Sequence, residues 1–126
     1  MQLLLDTCAL IWWTLDQKQI SASTLAVLNN SEMLLSSISI WEVGIKIKNK
    51  KLDIGMPIDT YADKLTELST LQILPVTDKI WLKNLGLEWE HRDPADRTIV
   101  ATAMLHDCWI VTTDQTICDY YPRIFW

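Results

Sequence analysis

Four acidic residues stand where strand-like segments of the sequence give way to helix-like ones: Asp6, Glu42, Asp96 and Asp114. In a parallel sheet the carboxyl ends of the strands share one edge, and ligands bind just beyond it. Two carboxylates about 4 Å apart repel by roughly 4 kcal/mol, so such a group requires bound cations. Ligands that are all oxygens favour Mg²⁺ or Mn²⁺ over zinc. The expected chemistry is phosphodiester hydrolysis by metal-activated water, without a covalent enzyme intermediate.

Each acid also has a structural explanation that involves no chemistry. Asp6 could cap the first helix, and Asp114 could form an Asx turn. Glu42 could complete a capping box with Ser39, while Asp93 could cap the helix that carries Asp96. A cap contributes on the order of 1 kcal/mol, and uncharged residues provide it equally well. Capping therefore does not account for the acids as a group.

The segments that position these acids alternate between two hydrophobic patterns. Strand-like runs are found at residues 2–5, 33–36, 71–76, 109–113 and 123–125. Helix-like runs are found at residues 7–15, 21–30, 40–49, 58–68, 79–85 and 94–106. The alternation predicts an α/β fold, and strands with few polar residues predict a central parallel sheet flanked by helices in three layers.

Length and composition limit the class of protein. The 126 residues suit a single domain, and 49% hydrophobic with 21% charged residues excludes a disordered chain. The net charge of −5 argues against a simple nucleic-acid binder, so any affinity for RNA must be local. One dense basic stretch, Lys46, Lys48, Lys50 and Lys51, is typical of a solvated helix end.

Three further polar residues near the acids have two interpretations each. Lys46 could form an ion pair with Glu42, four residues earlier on one helix face, or contact a substrate phosphate. Arg97, beside Asp96, presents the same choice. His91 is more typical of a hydrogen-bonding residue at a helix entrance than of a general base.

The cysteines suggest the compartment in which the protein works, and the tryptophans suggest a contact with another protein. Cys8, Cys108 and Cys118 lack paired spacing and lie in apolar runs, so they are expected to be reduced core thiols in a cytoplasmic protein. No segment has the length of a membrane span. Most of the seven tryptophans are expected in the core, except that adjacent Trp12 and Trp13 cannot both face one core line. At least one of them should line a groove or a protein contact.

Four sequence segments and the carboxyl-terminal residues resemble PIN-domain proteins of the VapC-like toxin group over nearly the whole chain. They are LLDT at residues 4–7, SIWEVGIK at 39–46, HRDPADRTIVATA at 91–103, VTTD at 111–114 and PRIFW at 122–126. The resemblance implies a three-layer PIN-like fold over residues 1–126. It also implies a Mg²⁺- or Mn²⁺-dependent endoribonuclease.

The same resemblance implies roles for individual residues and partners. Asp6, Glu42, Asp96 and Asp114 match the family's acidic metal-binding set, and Thr112 matches a hydroxyl-bearing residue that supports it. Asp93 matches an acid of one subgroup and is interpreted as a capping or supporting residue. The implied partners are RNA as substrate, a VapB-like antitoxin whose arginine could compete with the metal, and a second copy of the chain.

Alternative functions remain open at this stage. A haloacid-dehalogenase-like phosphatase would use Asp6 as nucleophile but needs a second aspartate two residues on, where this chain has Cys8. A non-catalytic interaction module could use the acids to bind a structural cation or an arginine. Water-driven hydrolysis does not use the 2′-hydroxyl, so the residues alone do not exclude DNA as substrate.

Overall fold

The computed structural model describes residues 2–126. Within this range five strands are present: β1 (Leu3–Leu5), β2 (Met33–Ser36), β3 (Leu71–Leu74), β4 (Trp109–Val111) and β5 (Ile124–Phe125). The α-helices are α1 (Thr7–Leu15), α2 (Ala22–Asn29), α3 (Ser37–Lys48), α4 (Ile58–Glu67), α5 (Asp78–Gly86), α6 (Pro94–His106) and α7 (Gln115–Tyr120). A short 3-10 helix at Gln17–Gln19 follows α1.

The strands form one parallel sheet in the order β3-β2-β1-β4-β5. Leu5 at the end of β1 is in register with Leu35 of β2 on one side and Val111 of β4 on the other. The chain runs from β1 outward to β3, then returns across the sheet to place β4 beside β1. This reversal makes the gap beyond the carboxyl ends of β1 and β4 the switch point, where ligands bind in sheets of this kind.

Helices cover both faces of the sheet, as the sequence predicts. Leu3 and Leu5 of β1 pack with α1, α2, α3 and α4 in one core cluster. Leu4 faces the other way and packs with α6 and α7 in a second cluster. Because successive strand residues point to opposite faces, this three-residue apolar strand contributes to both cores. The α/β class and the three-layer architecture are confirmed.

Side-chain caps fix where most helices begin. The capping side chains are Asp6 for α1, Ser21 for α2, Ser36 for α3, Thr77 for α5, Asp93 for α6 and Asp114 for α7. The predicted caps at Asp6 and Asp93 are confirmed. Asp114 begins a helix rather than a simple Asx turn, and α7 is an element that the sequence pattern does not predict.

The predicted capping box at Ser39 and Glu42 is wrong. Helix α3 begins at Ser37, because the Ser36 side chain accepts a hydrogen bond from the Ile38 backbone. Ser39 lies inside the helix, where it is fully buried. Its hydroxyl accepts a hydrogen bond of 3.1 Å from the Thr7 hydroxyl, which ties the first turn of α3 to that of α1.

The expectation that most tryptophans lie in the core is also wrong. None of the seven is among the buried residues, and Trp41, Trp81, Trp109 and Trp126 are exposed by 53%, 43%, 36% and 37%. Aliphatic side chains, mostly leucine and isoleucine, fill the two cores, and Trp12, Trp13 and Trp89 pack against them only in part. The other four rings are exposed, where they can contact other molecules.

The cysteine prediction holds for one residue and fails for another. Cys108 is a buried thiol, Cys118 is partly buried and Cys8 is exposed. All three are unpaired, as expected. No helix formed by residues 2–126 is long and apolar enough to span a bilayer.

Candidate active site at the carboxyl edge of the sheet

Asp6 and Thr112 meet at the switch point because β1 and β4 are neighbouring strands. The Asp6 backbone amide donates to the Val111 carbonyl at 3.1 Å, which continues the ladder past the end of β1. The Thr112 hydroxyl donates a short hydrogen bond to Asp6 Oδ2 and accepts one from the Asp114 amide at 2.9 Å. One hydroxyl thus connects two of the predicted acids.

The other oxygen of Asp6 is held by its own helix. Oδ1 accepts a hydrogen bond of 2.7 Å from the Ala9 amide, as an N-cap does. Asp6 is only 4% exposed. Its carboxylate is therefore fixed on both oxygens, with little freedom to turn away from the edge of the sheet.

Asp96 reaches the same edge from α6. Its amide bonds to the Asp93 side chain at 2.9 Å, so Asp93 caps the helix and holds the turn that carries Asp96. Oδ2 of Asp96 lies 2.7 Å from Nε2 of His91. The interpretation of His91 as a hydrogen-bonding residue at a helix entrance is confirmed, and its partner is a predicted site carboxylate.

The acids influence one another electrostatically. The pKa of Asp6 is raised from 3.8 to about 6: burial raises it most, the hydrogen bonds from Thr112 and Ala9 lower it, and the nearby charges of Asp96 and Asp114 raise it. The pKa of Asp96 is likewise raised to about 6, chiefly by burial and also by Asp93, Asp114 and Glu42. Each predicted acid thus perturbs, or is perturbed by, another.

Glu42 and Lys46 belong to the part of α3 that follows the buried Ser39. Although Cys8 is exposed as a residue, neighbouring atoms keep water from its thiol and raise the pKa to about 11; the charges of Asp6, Glu42 and Asp114 add to the rise, and Lys46 opposes it. These charges therefore surround one position at the start of α1. The ion pairs formed by residues 2–126 are His91–Asp96 and Arg123–Asp107, so the predicted Lys46–Glu42 pair is not present.

Arg97 forms neither of the ion pairs found among residues 2–126, so its predicted pairing with an acid is not present. Its guanidinium donates to the backbone carbonyls of Asn84, Leu87, Trp89 and His91 at 2.5–3.2 Å, and to the Asn84 side chain at 3.3 Å. Five contacts of this kind leave little capacity for a phosphate. Arg97 instead fixes the segment between α5 and α6, and through it the position of His91.

The donor set at this edge fits a hard divalent ion. Its candidate ligands are carboxylate oxygens, and the raised pKa values of Asp6 and Asp96 reflect burial and crowded negative charge that a cation would relieve. Among residues 2–126, no three His, Cys, Asp or Glu side chains converge as a ready-made ligand group. Asp114 is exposed and Glu42 is partly exposed, whereas Asp6 is buried.

The sequence patterns did not reveal several residues that shape this edge. Thr7 and Ser39 join α1 to α3, and both lie inside the motifs that carry the family resemblance. Trp89 packs against His91, with ring centroids 4.9 Å apart. The adjacent exposed Arg92 lies in the segment before α6. The density of aromatic and charged residues at 89–93 is the one sequence signal that could have drawn attention to this segment.

Comparisons with known proteins agree with this geometry. A family model for the PIN domain matches residues 3–121. The chain is 26% identical over 123 residues to Ribonuclease VapC22 of Mycobacterium tuberculosis, covering 95% of this chain and 93% of that protein. A toxin-antitoxin complex from Klebsiella pneumoniae contains a chain with TM-score 0.67 and 21% identity, covering 98% of this chain and 95% of that one.

A second solved structure has the same fold. VapBC2 from Rickettsia felis, bound to a DNA fragment from its promoter, gives a TM-score of 0.67 at 18% identity, covering 99% of this chain and 96% of that one. At these identities the two structures establish the fold. Because the family model spans nearly the whole chain, this protein belongs to the PIN-domain family.

Proposed function

We propose that this protein is a metal-dependent endoribonuclease and the toxin of a VapBC-like toxin–antitoxin pair. The observation that carries the proposal is the electrostatic coupling of Asp6, Asp96, Asp114 and Glu42 at the switch point of a PIN fold. The chain is similar to Ribonuclease VapC22, and a structural neighbour comes from a toxin-antitoxin complex. RNA is therefore the favoured substrate over DNA.

The residues of the site would orient the ion and the substrate. Asp6, Glu42, Asp96 and Asp114 would hold Mg²⁺ or Mn²⁺, which when bound supplies activated water and stabilises the leaving oxygen. Thr112 and the Ala9 amide fix both oxygens of Asp6. His91 fixes one oxygen of Asp96, and Lys46 is the nearby cation for a substrate phosphate.

The direct test measures RNA cleavage by purified protein with and without Mg²⁺ or Mn²⁺. Cleavage should require the ion and leave 5′-phosphate and 3′-hydroxyl ends, because water rather than the 2′-hydroxyl attacks. An Asp6→Asn variant should be inactive. Ends carrying a 2′,3′-cyclic phosphate, or full activity in chelator, would contradict the proposal. Labelled DNA of the same sequence is the comparison substrate.

Two other functions are separated by the same samples. A non-catalytic interaction module would bind a cation or partner without cleaving either nucleic acid. A phosphatase of the haloacid-dehalogenase type would form a phospho-aspartyl intermediate on Asp6, which mass spectrometry after acid quenching detects.

An antitoxin partner is part of the proposal. A cavity of about 360 Å³ is lined by apolar and aromatic side chains of α1 and α4, including Trp13, Tyr61 and Leu65. It supports the expectation that one of the paired tryptophans faces a groove. An arginine of the antitoxin would pair with the acids and compete with the metal. A partner peptide lacking this arginine should not inhibit cleavage, and full inhibition by it would refute the competition.

We also propose a homodimer of single PIN domains, each formed by residues 1–126, in the cytoplasm. Helix α5 exposes Trp81, Leu82 and Leu85, the last by 77%. Such a group of exposed apolar side chains is typical of a protein contact. A Leu85→Lys variant should sediment as a monomer, whereas an unchanged mass would place the contact elsewhere. The unpaired thiols support a reducing compartment.

A further inference from the structure

A cavity of about 750 Å³ lies beside the acidic site, between the end of α5 and the start of α6. Its volume is within the range of about 300–1,000 Å³ that is typical of small-molecule sites. His91 lines this cavity and also contacts Asp96 at 2.7 Å. The two sites share this side chain, so a group bound in the cavity lies next to the carboxylates.

One wall of the cavity is the end of an aromatic row. Trp89 stacks on Tyr120 with ring centroids 4.5 Å apart and planes 7° from parallel. His91 packs on Trp89 at 4.9 Å, and only these two members of the row line the cavity. Tyr120 therefore contacts Trp89 without lining the cavity itself. Unpaired nucleobases stack on aromatic surfaces of this kind, largely independently of sequence.

The charged side chains of the cavity complement a nucleotide. Arg92 is exposed and belongs to neither of the ion pairs formed by residues 2–126. Its guanidinium can therefore bind a phosphate with two hydrogen bonds. Glu90, also exposed, lines the same cavity and can accept an N–H group of a base. A protein with a net charge of −5 needs such local contacts to retain RNA.

The backbone that carries these groups is already fixed. Arg97 donates to the carbonyls of Trp89 and His91 at 2.7 and 3.1 Å, on either side of Glu90. It also anchors this segment to Asn84 at the end of α5. A wall that is ordered before binding avoids the entropy cost of ordering it on binding.

We propose that this cavity is the subsite for one unpaired nucleotide adjacent to the cleaved bond. The base contacts the Trp89–His91 end of the row, and its phosphate contacts Arg92. The inference rests on the proposed nuclease function and adds to it the position and chemistry of a substrate contact. It assigns to Trp89 and Arg92 a role in binding RNA rather than in the chemical step.

The test compares Trp89→Leu, Trp89→Phe and Arg92→Gln with a Trp109→Leu control. Trp109 is an exposed tryptophan at the start of β4, on the opposite edge of the sheet. Binding of a fluorescent single-stranded RNA is measured in the Asp6→Asn background, so that no cleavage occurs. Trp89→Leu should weaken binding about tenfold, while Trp89→Phe should retain most of the affinity. Arg92→Gln should make the dependence of log affinity on log salt concentration less steep by about one, the change expected for the loss of one phosphate contact.

Cleavage kinetics in the unaltered background give a second readout. Both Trp89→Leu and Arg92→Gln should raise KM several-fold and leave kcat nearly unchanged, because the lost contacts act on bound and reacting substrate alike. The Trp109→Leu control should match the unaltered protein. Thermal unfolding of each variant checks that the fold is retained, and exposed Arg92 tests the subsite even if Trp89→Leu is unstable.

The outcomes separate this inference from the proposed function. Normal RNA binding and KM in Trp89→Leu and Arg92→Gln, together with metal-dependent cleavage, would overturn the subsite and leave the nuclease intact. Loss of antitoxin binding alone in these variants would assign the cavity to the protein partner and also overturn it. Absence of any RNA binding or cleavage by the unaltered protein would reject both proposals.

Discussion

Two regions of opposite charge meet at consecutive residues of α6. Asp96 belongs to the acidic edge, and Arg97 with the carbonyls that it contacts forms what we call the Arg97 cluster. At the acidic edge, Asp6 is buried and Asp96 is partly buried near other carboxylates, and loss of contact with water is the main cause that raises the pKa of each to about 6. Around Arg97, one guanidinium donates hydrogen bonds to several partly buried backbone carbonyls. The first region stores unfavourable electrostatic energy, whereas the second stabilises the fold.

The proximity of these regions has a mechanical consequence. Arg97 holds the carbonyl of His91 at 3.1 Å, and the His91 ring holds Asp96 at 2.7 Å. Arg97, through His91, therefore helps to hold the Asp96 carboxylate in place against repulsion from the other acids. Active sites commonly retain such strain where the surrounding structure determines the geometry. Changes at the acidic edge should affect cleavage, and changes at the Arg97 cluster should affect stability first.

The largest expected effect is on cleavage at the acidic edge. Asp96→Asn should lower kcat/KM on the order of 10²–10³-fold, because the site loses a charge that acts on the reacting groups. The fold should be retained, since asparagine preserves the shape of the side chain. Rates of RNA cleavage at saturating Mg²⁺ or Mn²⁺ provide the measurement. Asp63→Asn, an exposed acid in the middle of α4, is the matched control and should cleave normally.

The Arg97 cluster should show the reverse behaviour. Arg97→Gln leaves several backbone carbonyls without a donor, and the free energy of unfolding should fall by about 3 kcal/mol. Urea unfolding monitored by tryptophan fluorescence measures this change. Arg92→Gln, which removes an exposed guanidinium from the same segment, should stay within about 0.5 kcal/mol of the unaltered protein. A stability loss equal in both variants would mean that the carbonyl contacts of Arg97 contribute nothing specific.

The pH dependence of stability measures what it costs the folded protein to ionise Asp6, chiefly because this carboxyl group is buried. The pKa of Asp6 rises from 3.8 to about 6 on folding, so between these values the unfolded state releases its proton first. Stability from this group is therefore greatest below about pH 4, falls as the pH rises to about 6 and is level above that. One pKa unit corresponds to about 1.4 kcal/mol, so the fall approaches about 3 kcal/mol.

Asp6→Asn isolates this contribution. The variant keeps an N-cap for α1 but cannot ionise, so near neutral pH it avoids the loss of about 3 kcal/mol. A poorer bond to Thr112 costs it about 1 kcal/mol, and it should therefore be more stable than the unaltered protein by about 2 kcal/mol. At pH 4 and below the order should reverse, and the variant should be less stable by up to about 1 kcal/mol, because only the poorer bond to Thr112 remains. Urea unfolding across this pH range is the measurement. Parallel curves for the two proteins would show that folding does not raise the pKa of Asp6.

Much of the fold and the acidic edge can be predicted because local patterns determine them. The short apolar strands and the Asp6 and Asp93 caps have unambiguous sequence signatures. The start of α3 does not, because Ser36 and Ser39 are equally good caps and only the burial of Ser39 decides between them. Helix α7 is six residues long, and the signature of Asp114 is shared by turns and helix caps.

The parts that could not be predicted depend on tertiary contacts. The partners of Arg97 are main-chain carbonyls of a loop, which every sequence possesses and no pattern distinguishes. The sequence suggests the adjacent Asp96 as the ion-pair partner of Arg97, but the two side chains form no ion pair in the structure. The burial of the tryptophans is predicted wrongly for a related reason. Composition indicates that large rings are usually buried, but it does not indicate which face of a helix they occupy.

The smallest expected effect is at Thr112 of the acidic edge. Its hydroxyl combines the two kinds of effect compared above, because it stabilises the fold and also lowers the pKa of Asp6. Thr112→Val removes the donor to Asp6 and the acceptor of the Asp114 amide, at a cost of about 1 kcal/mol in stability. Since the hydroxyl lowers the pKa of Asp6, its loss should raise that pKa and shift the acidic limb of the pH–rate profile to higher pH. Thr113→Val, its exposed neighbour, should leave both properties unchanged. A fixed acidic limb in Thr112→Val would show that this hydroxyl supports the fold alone.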